Sequence, residues 1–204
     1  TWFDGAGRVA ASEAPGGVLA CVTYGPAGQV VATELLGMGS VHKSETNYAV
    51  DGNPLISETT ETIADTVTTT RVEVDLRARV IRTVDRFGIE TRYTFDTRTG
   101  EVATTTTTAK GAAPIVETNT YDSKGRLSSV AVNGLTASTM SYGNDGLVSS
   151  VSYGNGTRVA LTYNDQNRPV VMRWTTPSGS YVDERVISAG GNISSETLTA
   201  PSGS

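Results

Sequence analysis

Tyr121-Asp122-Ser123-Lys124-Gly125-Arg126-Leu127 decides the fold. An aromatic residue closes one strand, the next four residues reverse the chain, and a return strand opens at Leu127. Asp122 and Gly125 hold the first and fourth places of the reversal. Aspartate in the first place accepts hydrogen bonds from the amides ahead of it, and glycine in the fourth tolerates positive φ. The pair predicts a type I turn closed by a glycine bulge, the corner that folds one strand onto the next.

Sliding this unit along the chain finds copies of it. Phe3-Asp4-Gly5-Ala6-Gly7-Arg8-Val9 matches in full, and Tyr24-Gly25-Pro26-Ala27-Gly28 keeps the corner with Pro26 in its second place. Phe95-Asp96 leads to Gly100 with one extra turn residue. Tyr142-Gly143-Asn144-Asp145-Gly146 follows, with Leu147 where arginine usually stands. Tyr163-Asn164-Asp165-Gln166-Asn167-Arg168 puts Asn167 in the glycine place, asparagine being the next best residue there. Val74-Asp75 to Arg79 is an eroded copy with Ala78 for glycine. Ile187 to Ile193 is weaker, and Tyr48 to Leu55 is a further candidate, distorted by Pro54. The anchors at 3, 24, 74, 95, 121, 142 and 163 are separated by 21, 50, 21, 26, 21 and 21 residues. A near-constant period of this length marks a repeat architecture, and it holds two strands and two turns.

The return halves share one grammar. Gly156-Thr157-Arg158-Val159-Ala160-Leu161-Thr162-Tyr163 opens on a turn and alternates into its aromatic anchor, as Gly88 to Phe95 does. Val159, Leu161 and Tyr163 fall on one face, and Arg158, Ala160 and Thr162 on the other. Period two is the signature of a strand with one apolar face.

Tyr-Asp, two free residues and Gly-Arg-Leu, recurring about every 21 residues, resembles the YD repeat of the RHS family. That family includes bacterial polymorphic toxins, the cocoon-forming subunits of insecticidal toxin complexes, and the shells of teneurins. The likeness runs from Phe3 to about Ile193 and is poorest over 37–70. It implies an all-β fold, in which repeated hairpins form a long curved antiparallel sheet, a partial YD-repeat shell. The residues expected to anchor it are Phe3, Tyr24, Phe95, Tyr121, Tyr142 and Tyr163, with Gly7, Gly28, Gly100, Gly125, Gly146 and Asn167 at the corners. Toxin-related members carry a self-cleaving core with Asp and Pro-rich motifs after the repeats. No such motif stands here, so neither cleavage nor toxicity carries over to any residue of this chain.

One repeat domain over 1–204 is expected, with units near 3–36, 74–110, 111–175 and 187–193 and an irregular stretch at 37–72. The chain opens almost inside a repeat, as a fragment of a longer protein would. About eight or nine units of two strands exceed the roughly 10 strands that an open twisted sheet carries without curling, so the sheet should curve. Ser57 to Thr70 should form a long or irregular hairpin, Gly37 to Ser40 a flexible lead-in, and Thr199 to Ser204 a fraying tail. The five threonines from Thr104 to Thr108 read as a two-sided polar strand, or as an O-glycosylated segment or a binding ridge.

A net charge of −5 with no basic run argues against a nucleic-acid footprint, and no apolar run approaches a membrane span. Cys21 alone excludes an internal disulfide framework and reads as a half-buried strand residue. His42, the single histidine, reads as an inert loop residue. One histidine and one cysteine cannot build a structural zinc site, and no Gly-x-Ser-x-Gly elbow frames a serine. No catalytic residue, cofactor or metal site is therefore expected. The tyrosines read as structural, packed each on its equivalent in the next unit; the recurrent arginines read as partners of acidic residues.

The resemblance implies a wall segment of an exported bacterial protein, secreted or at the cell surface. Its partners would be the rest of the parent shell and an enclosed cargo polypeptide. The alternative is a surface module that holds glycan or a partner protein on the aromatic ladder and threonine ridges.

Overall fold

The computed structural model describes residues 1–37, 39, 42–188 and 190–200. Parts of the expected lead-in (38 and 40) and of the expected fraying tail (201–204) lie outside the described residues. Among the described residues there are eighteen strands and no helix, so the all-β reading holds. The chain divides into two compact units, Thr1–Thr94 with Thr106–Pro114, and Phe95–Thr105 with Ile115–Ser204.

Unit 1 carries β1 (Trp2–Phe3), β2 (Val9–Ala14), β3 (Val18–Tyr24), β4 (Val30–Leu36), β5 (His42–Asn47), β6 (Ile56–Ile63), β7 (Thr66–Val74), β8 (Val80–Val84) and most of β9 (Glu90–Phe95). Each pairs antiparallel with the next. β10 (Val102–Thr108) is divided between the units. Unit 2 then runs β11 (Ile115–Tyr121), β12 (Leu127–Val132), β13 (Leu135–Tyr142), β14 (Val148–Tyr153), β15 (Arg158–Tyr163), β16 (Pro169–Thr176), β17 (Gly179–Ile187) and β18 (Ile193–Thr199). These too pair antiparallel in chain order.

The corner expected from sequence is present at the anchors. Asp122 N donates to Arg126 O at 2.8 Å and Gly125 N to Asp122 O at 3.0 Å, with Gly125 at φ 82°. The ladder slips by one residue at the anchor itself, where Tyr121 faces Leu127. The same slip falls at Phe3, Tyr24, Val74, Tyr142, Tyr163 and Ile187. The eroded copies therefore keep the geometry while losing the side chains. Ala78 shows the cost, because it sits at φ 59° where a Cβ crowds the following carbonyl. Ala78→Gly should raise stability by about 0.5–1 kcal/mol, the left-handed penalty less the extra chain entropy of glycine. Urea unfolding of the two proteins side by side measures it, and an unchanged or lower midpoint would contradict the strain.

Residues 37–72 are more regular than their composition indicated. β6 and β7 pair over eight positions, from Ile56 opposite Glu73 to Ile63 opposite Thr66, so the hairpin is long. His42 is not a loop residue: it opens β5, half-buried, opposite Leu35 and Ile63. β-branched threonines on both neighbouring strands favour extending the ladder there over leaving it as loop.

Val50 in unit 1 and Val159 in unit 2 are the only hydrophobic side chains buried among the described residues.

Candidate functional site

The corners repeat a side-chain clip. Asp122 Oδ1 accepts the amides of Lys124 and Arg126, each at 2.9 Å, while its Oδ2 accepts Arg126 Nε at 2.8 Å. Asp4 does the same with Ala6 and Arg8, and Asp75 with Arg77 and Arg79. The recurrent arginine thus pairs within its own turn, at 2.6 to 2.7 Å from the carboxylate. The amide and guanidinium of Arg8 hold Asp4 below the usual carboxylate range, and those of Arg79 do so for Asp75. At Asp122 the Arg126 guanidinium is the leading cause. Asp96 is lowered by the amide and hydroxyl of Thr99, which fill the wider turn, and Glu90 by Arg82 and then Arg92.

All these carboxylates have lowered pKa values, so the stability they contribute is present above their unfolded values of 3.8 and 4.5. It is lost as pH falls through the lower folded values. The urea midpoint should therefore drop between about pH 5 and about pH 2.5. Asp122→Asn should remove part of that drop; a midpoint flat with pH over this range would refute the clip.

The Asp4 and Asp122 clips each reach their successor through a tyrosine. Tyr142 Oη donates to Leu127 O at 2.6 Å, and the Arg126 guanidinium lies 4.0 Å from the Tyr142 ring centre. Tyr24 donates to Val9 O at 3.0 Å beneath Arg8 at 4.2 Å. Tyr121, Tyr163 and Tyr48 donate likewise to Val102, Val148 and Val30. The acceptor is always the first residue of the return strand one hairpin earlier. On Tyr24 and Tyr142 the structure thus sets an arginine from the preceding corner, where the sequence pointed to another tyrosine. Phe3 stands half in solvent beside Trp2, and Gly7, Gly28, Gly100, Gly146 and Asn167 all take positive φ.

Two features escaped sequence reasoning. Asp85-Arg86-Phe87-Gly88-Ile89 closes the amide half of the clip at the other end of its strands, with Ile89 in the arginine place and Asp85 Oδ1 accepting Phe87 N and Ile89 N. Its Asp-x-x-Gly signal was visible, but it falls out of phase with the aromatic anchors. Arg168 lost its carboxylate to Asn164 and is turned across the next corner, where a Cβ on Gly191 would stand 2.6 Å from Arg168 Nη1. Asn164→Asp should restore the clip and add about 0.5–1 kcal/mol at neutral pH. That gain should vanish in acid, when the new carboxylate protonates; chemical unfolding at both pH values decides it.

The two faces differ in chemistry. In unit 2 the register lines up Met140, Val151, Val159, Trp174 and Tyr181 across five strands on the tyrosine face. The opposite face lines up Thr139 with Ser152 and Ser141 with Ser150 and Ala160. In unit 1 the tyrosine face is rich in threonine, with Thr46 and Thr59 hydroxyls 3.0 Å apart. Its other face carries ion pairs, Lys43 with Glu45 at 2.8 Å and Arg82 with Glu90 at 2.5 Å. A depression of about 590 Å³ on unit 1 is lined by Cys21, Glu34, Lys43, Glu45 and Glu58 among others. The register also sets Glu61 opposite Ser44, two residues from His42. No cluster of three or more His, Cys, Asp or Glu side chains able to hold a metal ion occurs among the described residues.

No known family profile matches the chain, and no curated protein sequence does. Solved structures do. A chain of a mutant Photorhabdus luminescens Tc holotoxin pore aligns over 97% of this protein at 13% identity with a TM-score of 0.55. Chains in the crystal structures of TcdB2-TccC3-Cdc42 and TcdB2-TccC3-TEV align over 96% and 98% at 12% identity, each with a TM-score of 0.45. This protein spans 11% of the first of these chains and 15% of the others. At such identity the likeness is one of fold.

Proposed function

We propose that this chain is a wall segment of a YD-repeat shell that encloses a toxin or other cargo polypeptide, within a larger exported bacterial protein. The observation that carries the reading is the tie between successive hairpins. Each tyrosine hydroxyl caps a carbonyl one hairpin back, so adding units extends the wall without any second layer. A wall of this kind works by exclusion: a single hydrogen-bonded sheet keeps a protease or a premature target away from what lies behind it. The fold likeness to a Tc holotoxin chain agrees with this role. The chemistry asked of the segment is mechanical, and the reading assigns it no catalytic step and no cofactor.

Protease protection of a cargo co-expressed with the full-length parent tests it. Cargo that survives inside the intact parent, and is digested after the wall is destabilised at Tyr142, is the expected result. Cargo digested as fast as when free would refute the reading.

A second reading, a surface module for glycan or a partner protein, draws on the ladder of tyrosines that includes Tyr121 and on the threonine-rich strands β6, β7 and β10. Binding on a glycan array that Tyr121→Ala abolishes, with the fold intact, would favour it over the wall.

A further inference from the structure

On the face of unit 2 turned away from the tyrosines, Thr139, Ser152, Arg158, Thr175 and Ser180 stand opposite one another in a row from β13 to β17. The neighbouring row runs Ser141, Ser150, Ala160 and Arg173. Arg158 Nη2 donates to Ser150 Oγ at 3.3 Å, and Ser150 is only 5% exposed. The Arg158 side chain therefore leans out of its own row and over β14, while Arg173 rises from β16. Ala160, on β15, lies between them with nothing but a methyl group. Both arginines are exposed, and among the described residues neither is in an ion pair. Glu184 is the one carboxylate that β13 to β17 carry on this face, and it stands in a third row, opposite Val171.

We propose that Arg158 and Arg173 form an anion subsite over Ala160, which takes a carboxylate of a uronic-acid polysaccharide laid across the strands. A guanidinium carries five donors in a fixed fork, and no carboxylate of this chain takes up those of Arg158 or Arg173. β14 and β16 lie about 10 Å apart, two strand spacings. A carboxylate accepts from a guanidinium at about 2.7–2.9 Å, and the two long side chains close the remaining gap on it. The hydroxyls complete the match. They recur once per strand, about every 4.8 Å, close to the length of one pyranose repeat. A sugar chain lying along the row thus meets a hydrogen-bonding group on nearly every strand.

Other polyanions fit less well. Single-stranded nucleic acid is held by rings that stack on its bases, and Tyr142, Tyr163 and Trp174 stand on the other face. A charged lipid surface is held by a cluster of four or more cations, where this face offers two. An acidic peptide would satisfy the arginines and leave the hydroxyl row idle. The whole chain carries a net charge of −5, so general attraction does not recruit a polyanion and the recognition is local. The subsite uses none of the tyrosines, so it stands whether or not Tyr121 holds a glycan.

Isothermal titration of the full chain tests this with a galacturonic acid oligosaccharide, its methyl ester, and polyglutamate of the same charge. The acidic oligosaccharide should bind, and the ester and polyglutamate should each bind about tenfold or more weakly. Arg158→Gln and Arg173→Gln, both at exposed positions, should each weaken binding by about five- to tenfold. Glu184→Gln should tighten it, and Lys124→Gln, which removes a cation at a distant corner, should leave it unchanged. The proposal is overturned if the oligosaccharide does not bind, or if its ester binds as well. It is overturned too if polyglutamate binds as tightly, which would make the ligand an acidic polypeptide. Either arginine variant binding like the parent, or Lys124→Gln costing as much as they do, would also overturn it.

Discussion

Val159→Asp should lower the stability of unit 2 by about 3–5 kcal/mol, the penalty for leaving a buried charge without a partner. Val159 is 5% exposed, the most buried apolar side chain among the described residues. It stands in the middle of the row from Met140 to Tyr181, between Val151 and Trp174. In a two-layer domain a core lesion is shared among many neighbours. Here the apolar seam lies on one sheet, and a carboxylate at its centre finds no cation across the row. Val159→Ala removes two methylene equivalents and should cost about 1.5–2 kcal/mol, which separates packing loss from charge burial. Because Trp174 lies beside the site, its fluorescence in urea reports the transition, with Trp2→Phe silencing the tryptophan of unit 1. A loss below about 1 kcal/mol for the aspartate variant would mean that the seam is not the core.

The seam also marks how far the sequence could be read. Alternation placed Val159, Leu161 and Tyr163 on one face, and the ladder puts them there. The corners were legible because a positive φ restricts residue choice to glycine and a few substitutes, so the backbone writes itself into the sequence. Register slips at the anchors followed from the same turn chemistry. The tie between hairpins was not legible. A tyrosine hydroxyl reaching a carbonyl 15 residues back leaves no mark on the acceptor, since any residue supplies a carbonyl. Arg126 and Tyr142 were both singled out, yet nothing in their spacing says that one lies over the other. His42 went wrong for a related reason: polar residues between glycines read as loop, while pairing from both flanking strands made them a ladder. Arg158 and Arg173 drew no notice as a pair, because only the ladder sets them on either side of Ala160.

Truncating Tyr142 tests the tie directly. Tyr142→Ala removes the hydroxyl that caps Leu127 O and the ring beneath Arg126, and should cost about 3 kcal/mol, the low end for an aromatic truncation because the site is half-buried. Tyr142→Phe removes the hydrogen bond alone and should cost about 1 kcal/mol, somewhat more if the Leu127 carbonyl finds no water. Tyr163 supplies the control. It makes the same bond, to Val148 O at 2.9 Å, but the preceding corner offers Leu147 in the arginine place. If the guanidinium contributes, Tyr142→Ala should exceed Tyr163→Ala by about 0.5–1 kcal/mol, and Arg126→Met should erase the difference. Equal losses for Tyr142→Phe and Tyr142→Ala would mean that the ring adds nothing, and that successive hairpins are joined by the backbone ladder and one hydroxyl.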